Sequence, residues 1–388
     1  MNILFIYSRD ISIDDSGGAR TVIMLIRHLS QKEDVKCYTL FNIGGIELPE
    51  MEVIPFNGDL AQQIHSTIVE KGIDILMVPE AVEMCSVASQ GCKGTDCRIV
   101  SALHNMPGYE KLNLTILLKE SMLYNESIAK RVRAGIGLLL FPLFKWLYVK
   151  TEKQHFHDAY EKSDYTVLLS ERFYDEFVRE YYIKDAGKKL RAVGNGLSFE
   201  HFATQENIKN KKKQVLVVSR LDERQKRLSR VFEIWKDVQN ENTDWDLVIV
   251  GFGRSEKHYK SLIEKYGLQR VRMEGRQNPE RYYMESPIFL MTSDFEGWGM
   301  TITEAQQCGC VPIALDTYSS LKDLIESGKD GFIVKIMDEM KQKILLLMND
   351  QNKREEMAKT ATETCRRFMP ENIYEKYYNI FCEIIKQK

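Results

Sequence analysis

Ser293-Asp294-Phe295-Glu296-Gly297-Trp298-Gly299-Met300-Thr301-Ile302-Thr303-Glu304-Ala305 is the stretch around which the 388-residue chain is organised. The apolar run Pro287 to Met291 before it reads as a buried strand. Thr301 onward reads as a helix, with Ile302, Ala305 and Cys308 at helical spacing. Between them lies a glycine-bearing loop with Glu296 at its start. Loop and first-turn N–H groups have no intrahelical partner, so Gly297, Trp298, Gly299, Met300 and Thr301 form an anion site at a parallel strand's carboxyl end. Glu296 and Glu304, eight positions apart, flank that phosphate-sized hole. A sugar linked to a diphosphate matches it: hydroxyls donate to carboxylates, and phosphate oxygens accept from N–H groups. A plainer reading stays open beside this one. Thr301 and Glu304 fit a capping box, and Glu296 fits an ordinary loop carboxylate.

The length argues for two domains. Hydrophobic content of 44% and charged content of 28% describe a globular chain, and a net charge of −2 gives no global attraction to nucleic acid. Met1-Asn2-Ile3-Leu4-Phe5-Ile6-Tyr7 lacks a basic leader region and reads as a first strand. No uncharged apolar run is long enough for a spanning helix. The eight cysteines form no CxxC pair, so reduced thiols and a cytoplasmic location are expected. Cys85, Cys92 and Cys97 cluster near Asp96 without a histidine at ligand spacing, and no metal site is assigned.

Strand Ile3–Tyr7 leads to Ser16-Gly17-Gly18-Ala19-Arg20, where a glycine pair opens a helix and lets backbone approach an anion, with Arg20 adding charge. A plain loop pair is the alternative. Apolar runs at Ile73–Val78 and Ile99–Leu103 alternate with helical segments, the pattern of a doubly wound parallel α/β sheet. The second run places His104 at a strand's carboxyl end, where such sheets keep their sites, although from this position alone a structural histidine is the better reading. Lys130, Arg131 and Arg133 precede a broken apolar run that contains Lys145 and Trp146 and ends at Lys150. That run is too short to span a bilayer, yet basic and aromatic enough to lie at its surface; a core helix pair is the alternative. The polar segment 204–214 with Lys211-Lys212-Lys213 reads as a solvated linker. The expected domains are 1–203, 204–368 and a C-terminal helix 369–388 striped by Ile373, Tyr377, Ile380, Phe381 and Ile384.

The second half restarts at Val215–Val218. Arg220 and Lys226 follow, two cations offered to one anion. Gly251-Phe252-Gly253 lacks the third glycine of a dinucleotide fingerprint. Asp244-Trp245-Asp246 looks like a metal-holding Asp-x-Asp pair but precedes its strand, on the wrong side of a parallel sheet.

Four features occur in one order: Ser16-Gly17-Gly18-Ala19-Arg20, Asn195-Gly196-Leu197, Ser219-Arg220-Leu221 with Lys226, and Glu296 with seven residues before Glu304. In these the chain resembles the retaining glycosyltransferases of family 4. The resemblance implies the GT-B fold: two Rossmann-like domains facing one another across a cleft, with the C-terminal helix returning to the first. It implies that Arg220 and Lys226 neutralise a donor diphosphate, and that Glu296 holds donor-sugar hydroxyls beside the N–H groups of Trp298, Gly299 and Met300. It further implies Thr301 at the phosphate, Glu304 at the ribose, His104 near the donor sugar and acceptor, and Gly17 and Gly18 lining the phosphate. The Gly275–Arg276 loop would receive the base. Arg20, Arg131, Arg133, Lys145 and Trp146 are candidates for the acceptor or membrane side.

The expected reaction is metal-independent front-side transfer from a nucleotide sugar, commonly UDP-linked, with no added cofactor. The acceptor is expected to be a lipid-linked glycan of surface polysaccharide assembly, with peripheral contact at an anionic membrane. A nucleotide-sugar epimerase and a non-catalytic nucleotide-sugar-binding protein are the competing readings.

Overall fold

The computed structural model describes residues 1–387 apart from 9, 13–16, 45–50, 56–57, 80–81, 110–126 and 186, so Ser16 of the glycine motif lies outside it. The chain divides into two compact units, Met1–Gly196 with Met369–Lys388, and Leu197–Phe368. Both are built on parallel sheets with helices between the strands, the doubly wound α/β arrangement expected of strands that alternate with helices.

In the first unit the strands are β1 (Asn2–Phe5), β2 (Ile11–Ser12), β3 (Lys36–Thr39), β4 (Ile43–Gly44), β5 (Met51–Val53), β6 (Ile75–Pro79), β7 (Arg98–Ala102), β8 (Tyr165–Leu168) and β9 (Leu190–Ala192). Seven of them form a parallel sheet in the order β5-β3-β1-β6-β7-β8-β9, while β2 and β4 pair separately. The central strands are near-continuous apolar runs because both faces are covered by helices: Ile75, Leu76 and Met77 are fully buried.

The C-terminal helix Pro370–Lys386 belongs to this unit. It starts with proline in its first turn, where the missing N–H costs nothing. Its stripe buries Ile373, Tyr377, Ile380, Phe381 and Ile384, each contributing about 1.5–3 kcal/mol of transfer free energy. Glu375 pairs with Lys32 at 2.8 Å, and Glu383 with Arg191 at 2.9 Å and with the Tyr165 hydroxyl. A Cβ at Gly196 would press on the Tyr374 ring at 3.1–3.2 Å, so the chain passes that ring closely.

The second unit holds β10 (Gln214–Val218), β11 (Asp246–Val250), β12 (Val271–Gly275), β13 (Ile288–Met291), β14 (Val311–Leu315) and β15 (Phe332–Val334). Their order is β12-β11-β10-β13-β14-β15, all parallel. Val215, Val217, Leu247, Ile249, Ile288 and Leu290 form the core with Phe232 and Trp235.

The segment read as a solvated linker is part of this unit. Ala203 and Ile208 sit in its core, and the division falls before them, at Gly196/Leu197. Lys211 is the clearest departure. Its ammonium donates to the carbonyls of Tyr283 (2.8 Å), Met284 (2.9 Å) and Cys308 (2.7 Å), at the ends of helices Glu280–Glu285 and Met300–Gln307. Terminal helix carbonyls lack intrahelical partners and attract cations, which is why one lysine of the run turns inward. Burial pushes that ammonium down to about 8. Lys212 and Lys213 do face solvent, paired with Glu285 and Asp244.

Candidate active site

The second sheet has a switch point. From β10 the chain winds outward through β11 and β12, then returns to place β13 on the other side of β10. Connections leaving β10 and β13 therefore run in opposite directions, and a crevice opens at their carboxyl ends. A shallow, solvent-open hollow lies there, lined in part by Ser219, Lys226, Thr292, Ser293 and Thr301. Residues from the two most distinctive motifs, separated by some 70 positions, share one wall.

At its edge the Lys226 ammonium meets the Glu296 carboxylate at 2.5 Å, with both side chains largely buried. The cation and the carboxylate expected to serve a phosphate and a sugar are thus neighbours. Arg220, on the turn after β10, is exposed, and its guanidinium donates to Gln225 Oε1 at 3.0 Å. The Gln225 amide donates in turn to the Phe295 carbonyl at 3.0 Å, and Asp294 N–H donates to the Gln225 carbonyl at 2.8 Å. Gln225 therefore ties the cationic turn to the carboxylate loop.

Further bonds fix that loop. Asp294 receives Arg227 at 2.9 Å and Arg230 at 2.6 Å. Arg227 adopts φ 53°, a left-handed conformation that costs a non-glycine residue about 1 kcal/mol, and its carbonyl is held by the Thr292 hydroxyl at 3.2 Å. On the other side Ser320 donates to the Gly297 carbonyl at 2.8 Å. Gly299 has φ 96°, and a Cβ there would come within 2.5 Å of the Tyr318 oxygen. Glycine is required twice over. Burial, and then the charge of Glu296, push the Tyr318 phenol well above its ordinary value, so it stays neutral.

Gly299 caps the helix Met300–Gln307 without a side-chain cap, so Thr301 and Glu304 do not form the capping box that the sequence allowed. Glu304 is 3% exposed and accepts the Tyr283 hydroxyl at 3.1 Å. Gly251 and Gly253 serve packing: a Cβ on either would strike the Ser219 or Leu221 carbonyl oxygen, at 1.8 and 2.5 Å. Their absence of side chains lets the turn that carries Arg220 lie against the β11 loop. Arg276 stacks its guanidinium over the half-exposed Phe252 ring at 5.0 Å, beside Gly275 at φ 70°. The Asp-x-Asp residues point elsewhere: Asp244 pairs with Lys213, and Asp246, at the amino end of β11, with Arg272 at 3.1 Å.

In the first unit Gly17 and Gly18 open the helix Gly17–Ser30, with Gly17 exposed and Gly18 and Arg20 half-buried. His104 is half-buried just past the carboxyl end of β7. Arg131 lies exposed on helix Ile128–Leu139; the side chains of Arg133, Lys145 and Trp146 lie outside the described set. Sequence reading missed Gln225, Asp294, Tyr318, Ser320 and Tyr283. The available signal for Gln225 was its place inside the Arg220–Lys226 turn.

Residues 198–364 match the family model described as glycosyl transferases group 1. The amylovoran biosynthesis glycosyltransferase AmsD of Erwinia amylovora is 28% identical over 201 residues, 50% of this chain and 56% of that protein. A Campylobacter jejuni GalNAc-alpha-(1->4)-GalNAc-alpha-(1->3)-diNAcBac-PP-undecaprenol alpha-1,4-N-acetyl-D-galactosaminyltransferase is 24% identical over 215 residues, 55% of this chain and 57% of that one. The chain thus spans little more than half the length of these relatives. The crystal structure of Anabaena HepE in complex with UDP superposes with TM-score 0.72 at 16% identity, covering 99% of this chain and 100% of that one. Over residues 198–364 the chain is thus similar to the group 1 glycosyltransferases, and its two parallel Rossmann-like sheets with the C-terminal helix have the GT-B fold of the solved structure.

Proposed function

We propose that the chain moves a sugar from a nucleotide sugar, UDP being the expected nucleotide, to a hydroxyl of a lipid-linked glycan in bacterial surface polysaccharide assembly. The observation that carries this is the Lys226–Glu296 pair at the switch-point hollow, one group suited to a phosphate and the other to sugar hydroxyls. Support for the nucleotide comes from the UDP in the HepE complex, and for the acceptor from the undecaprenol-linked glycan in the Campylobacter protein's name.

On this reading the bond between anomeric carbon and phosphate oxygen breaks as positive charge develops on the sugar ring. Negative charge grows on the departing phosphate, where Lys226, Arg220 and the first-turn N–H groups near Thr301 stabilise it without a metal ion. Glu296 holds ring hydroxyls, and Glu304 the ribose. On this reading no carboxylate is assigned as a nucleophile on the opposite face, and the acceptor oxygen bonds from the leaving group's side. A phosphate oxygen takes its proton, and the configuration is retained.

The test is an NMR reading of the product's anomeric configuration after incubation with UDP-sugars and a polyprenyl-diphosphate glycan. Retention with one equivalent of UDP released supports the proposal. An inverted product, or a sugar altered without any acceptor, overturns it.

A further inference from the structure

The Tyr283 ring is fully buried in the second unit, packed against Phe199 and Phe289 with ring centroids 6.0 and 5.7 Å away. Its carbonyl accepts the Lys211 ammonium at 2.8 Å. The same ammonium holds the Cys308 carbonyl at 2.7 Å, at the end of the helix that carries Glu304. One cation therefore pins both elements, and the place of the Tyr283 hydroxyl follows from them. That hydroxyl donates to Oε2 of Glu304 at 3.1 Å, away from solvent. Burial first, and then the charge of Glu304, push the phenol well above its ordinary value, so it stays a donor at neutral pH.

A phenol gives a carboxylate a direction rather than a counter-charge. A carboxylate accepts up to about four hydrogen bonds, so the one from Tyr283 does not exhaust it. Glu304 lies three positions after Thr301 on helix Met300–Gln307, which puts both on one face, and Thr301 lines the hollow. A carboxylate whose rotation is already stopped meets two neighbouring hydroxyls without losing rotamer freedom at that moment; one that turns freely pays that loss on binding. A tie needed only for packing would be served as well by an apolar pair of the same volume, which buries no carboxylate.

We propose that Tyr283 is a positioning residue for the transfer reaction: its hydroxyl sets the Glu304 carboxylate at the angle from which it accepts the two vicinal hydroxyls of a nucleotide's ribose. The role rests on the reading of Glu304 as the ribose ligand, and adds to it the group that holds the carboxylate in place. Tyr283 acts through Glu304 and not on the nucleotide directly.

The experiment is isothermal titration of the full chain with UDP and with 2′,3′-dideoxy-UDP, for the natural protein, Tyr283→Phe, Glu304→Gln and the two combined. Tyr283→Phe removes one oxygen and keeps the ring against Phe199 and Phe289. The natural protein is expected to prefer UDP by about tenfold or more. Tyr283→Phe should cut that preference roughly three- to tenfold and leave the affinity for the dideoxy nucleotide unchanged. In the Glu304→Gln background the same change should cost nothing further, because the carboxylate it acts through is gone. Steady-state kinetics give a second measurement: Tyr283→Phe should raise KM for the UDP-sugar by the same factor and keep kcat within about twofold. A variant that keeps the natural preference overturns the proposal. So does one that loses both nucleotides in step, or whose loss persists in the Glu304→Gln background, since either result assigns Tyr283 to packing alone. Equal binding of the two nucleotides by the natural protein is a separate failure: it removes Glu304 from the ribose, and the role of Tyr283 goes with it.

Discussion

The two units share a sheet architecture and spend their polar and apolar groups differently. In the second, the loops after β10, β13 and β14 are tied together by side chains: Gln225 to Phe295, Asp294 to Arg227 and Arg230, and Ser320 to Gly297. Its exposed large apolar side chains, among the described residues, are Phe252 and Ile336. The first unit exposes Val53, Val69, Ile128, Val132, Ile136, Leu139, Leu140 and Tyr182. One sheet supports a cross-braced polar corner; the other supports a greasy, basic outer helix. Pre-organised charge is what a reaction with a charged leaving group needs, and exposed apolar area is what a surface partner needs. The matched family segment coincides with the braced unit.

The largest effect should come from the corner itself. Replacing Lys226 by Ala should lower turnover on the order of 10²–10³, as expected for losing a preorganised electrostatic stabiliser. It also leaves the Glu296 carboxylate without its 2.5 Å partner. Steady-state kinetics with the best UDP-sugar would read this, and an unchanged rate would remove Lys226 from the site and with it the contrast between the units.

Next comes the inward lysine. Lys211→Met removes one ammonium from three carbonyls and should cost about 2–4 kcal/mol of stability, because buried acceptors left unpaired are expensive. Chemical denaturation measures it. A loss below that of a surface lysine such as Lys212 would return the segment to the status of a linker. Gln225→Ala is smaller again. It touches Arg220 and the Phe295 carbonyl, so it should lower turnover roughly five- to tenfold, one hydrogen bond's worth on each side, with melting temperature nearly kept. Restoration by Gln225→Glu would argue against it, since that residue lacks the amide donor the Phe295 carbonyl accepts.

How far these features were legible from the sequence follows from their range along the chain. The buried strands of the second unit announce themselves as apolar runs, as at Val215–Val218 and Leu247–Val250, because a parallel strand covered on both faces has no polar alternation. Strands β3, β5 and β9 escaped notice: Lys36–Thr39, Met51–Val53 and Leu190–Ala192 are short and partly polar, and β5 and β9 lie at sheet edges. The Glu296/Glu304 spacing and the Arg220/Lys226 turn could be read locally. What joins them could not, since Gln225 reaches Phe295 across 70 positions and Tyr283 reaches Glu304 across 21. Lys211 misled for the same reason: three consecutive lysines look solvated until distant helix ends supply the carbonyls.

Acid should separate the units by the smallest of these effects, and with opposite signs. In the first unit the hydrogen bond from Lys32 holds the Glu375 carboxyl below its ordinary value, and those from Tyr165 and Arg191 do the same for Glu383. A carboxyl depressed in the folded state contributes stability that is present above its unfolded pKa and lost as pH falls through the folded one. Docking of helix Pro370–Lys386 should therefore weaken as pH drops below about 4.5. Asp330 of the second unit behaves the other way. Burial raises it, against the hydrogen bonds it accepts from Thr364 and from the Glu326 N–H, so its contribution is present below its unfolded pKa and is lost as pH rises through the folded value. Each surface pair is worth well under about 1 kcal/mol after solvent screening, so the readout must be local. Hydrogen exchange, corrected for the intrinsic rate, should show protection falling at 370–386 as pH drops from about 5 to about 3 while 326–334 holds or gains. Loss of protection in step at both segments would mean that one cooperative acid transition, not two differently charged units, governs the chain.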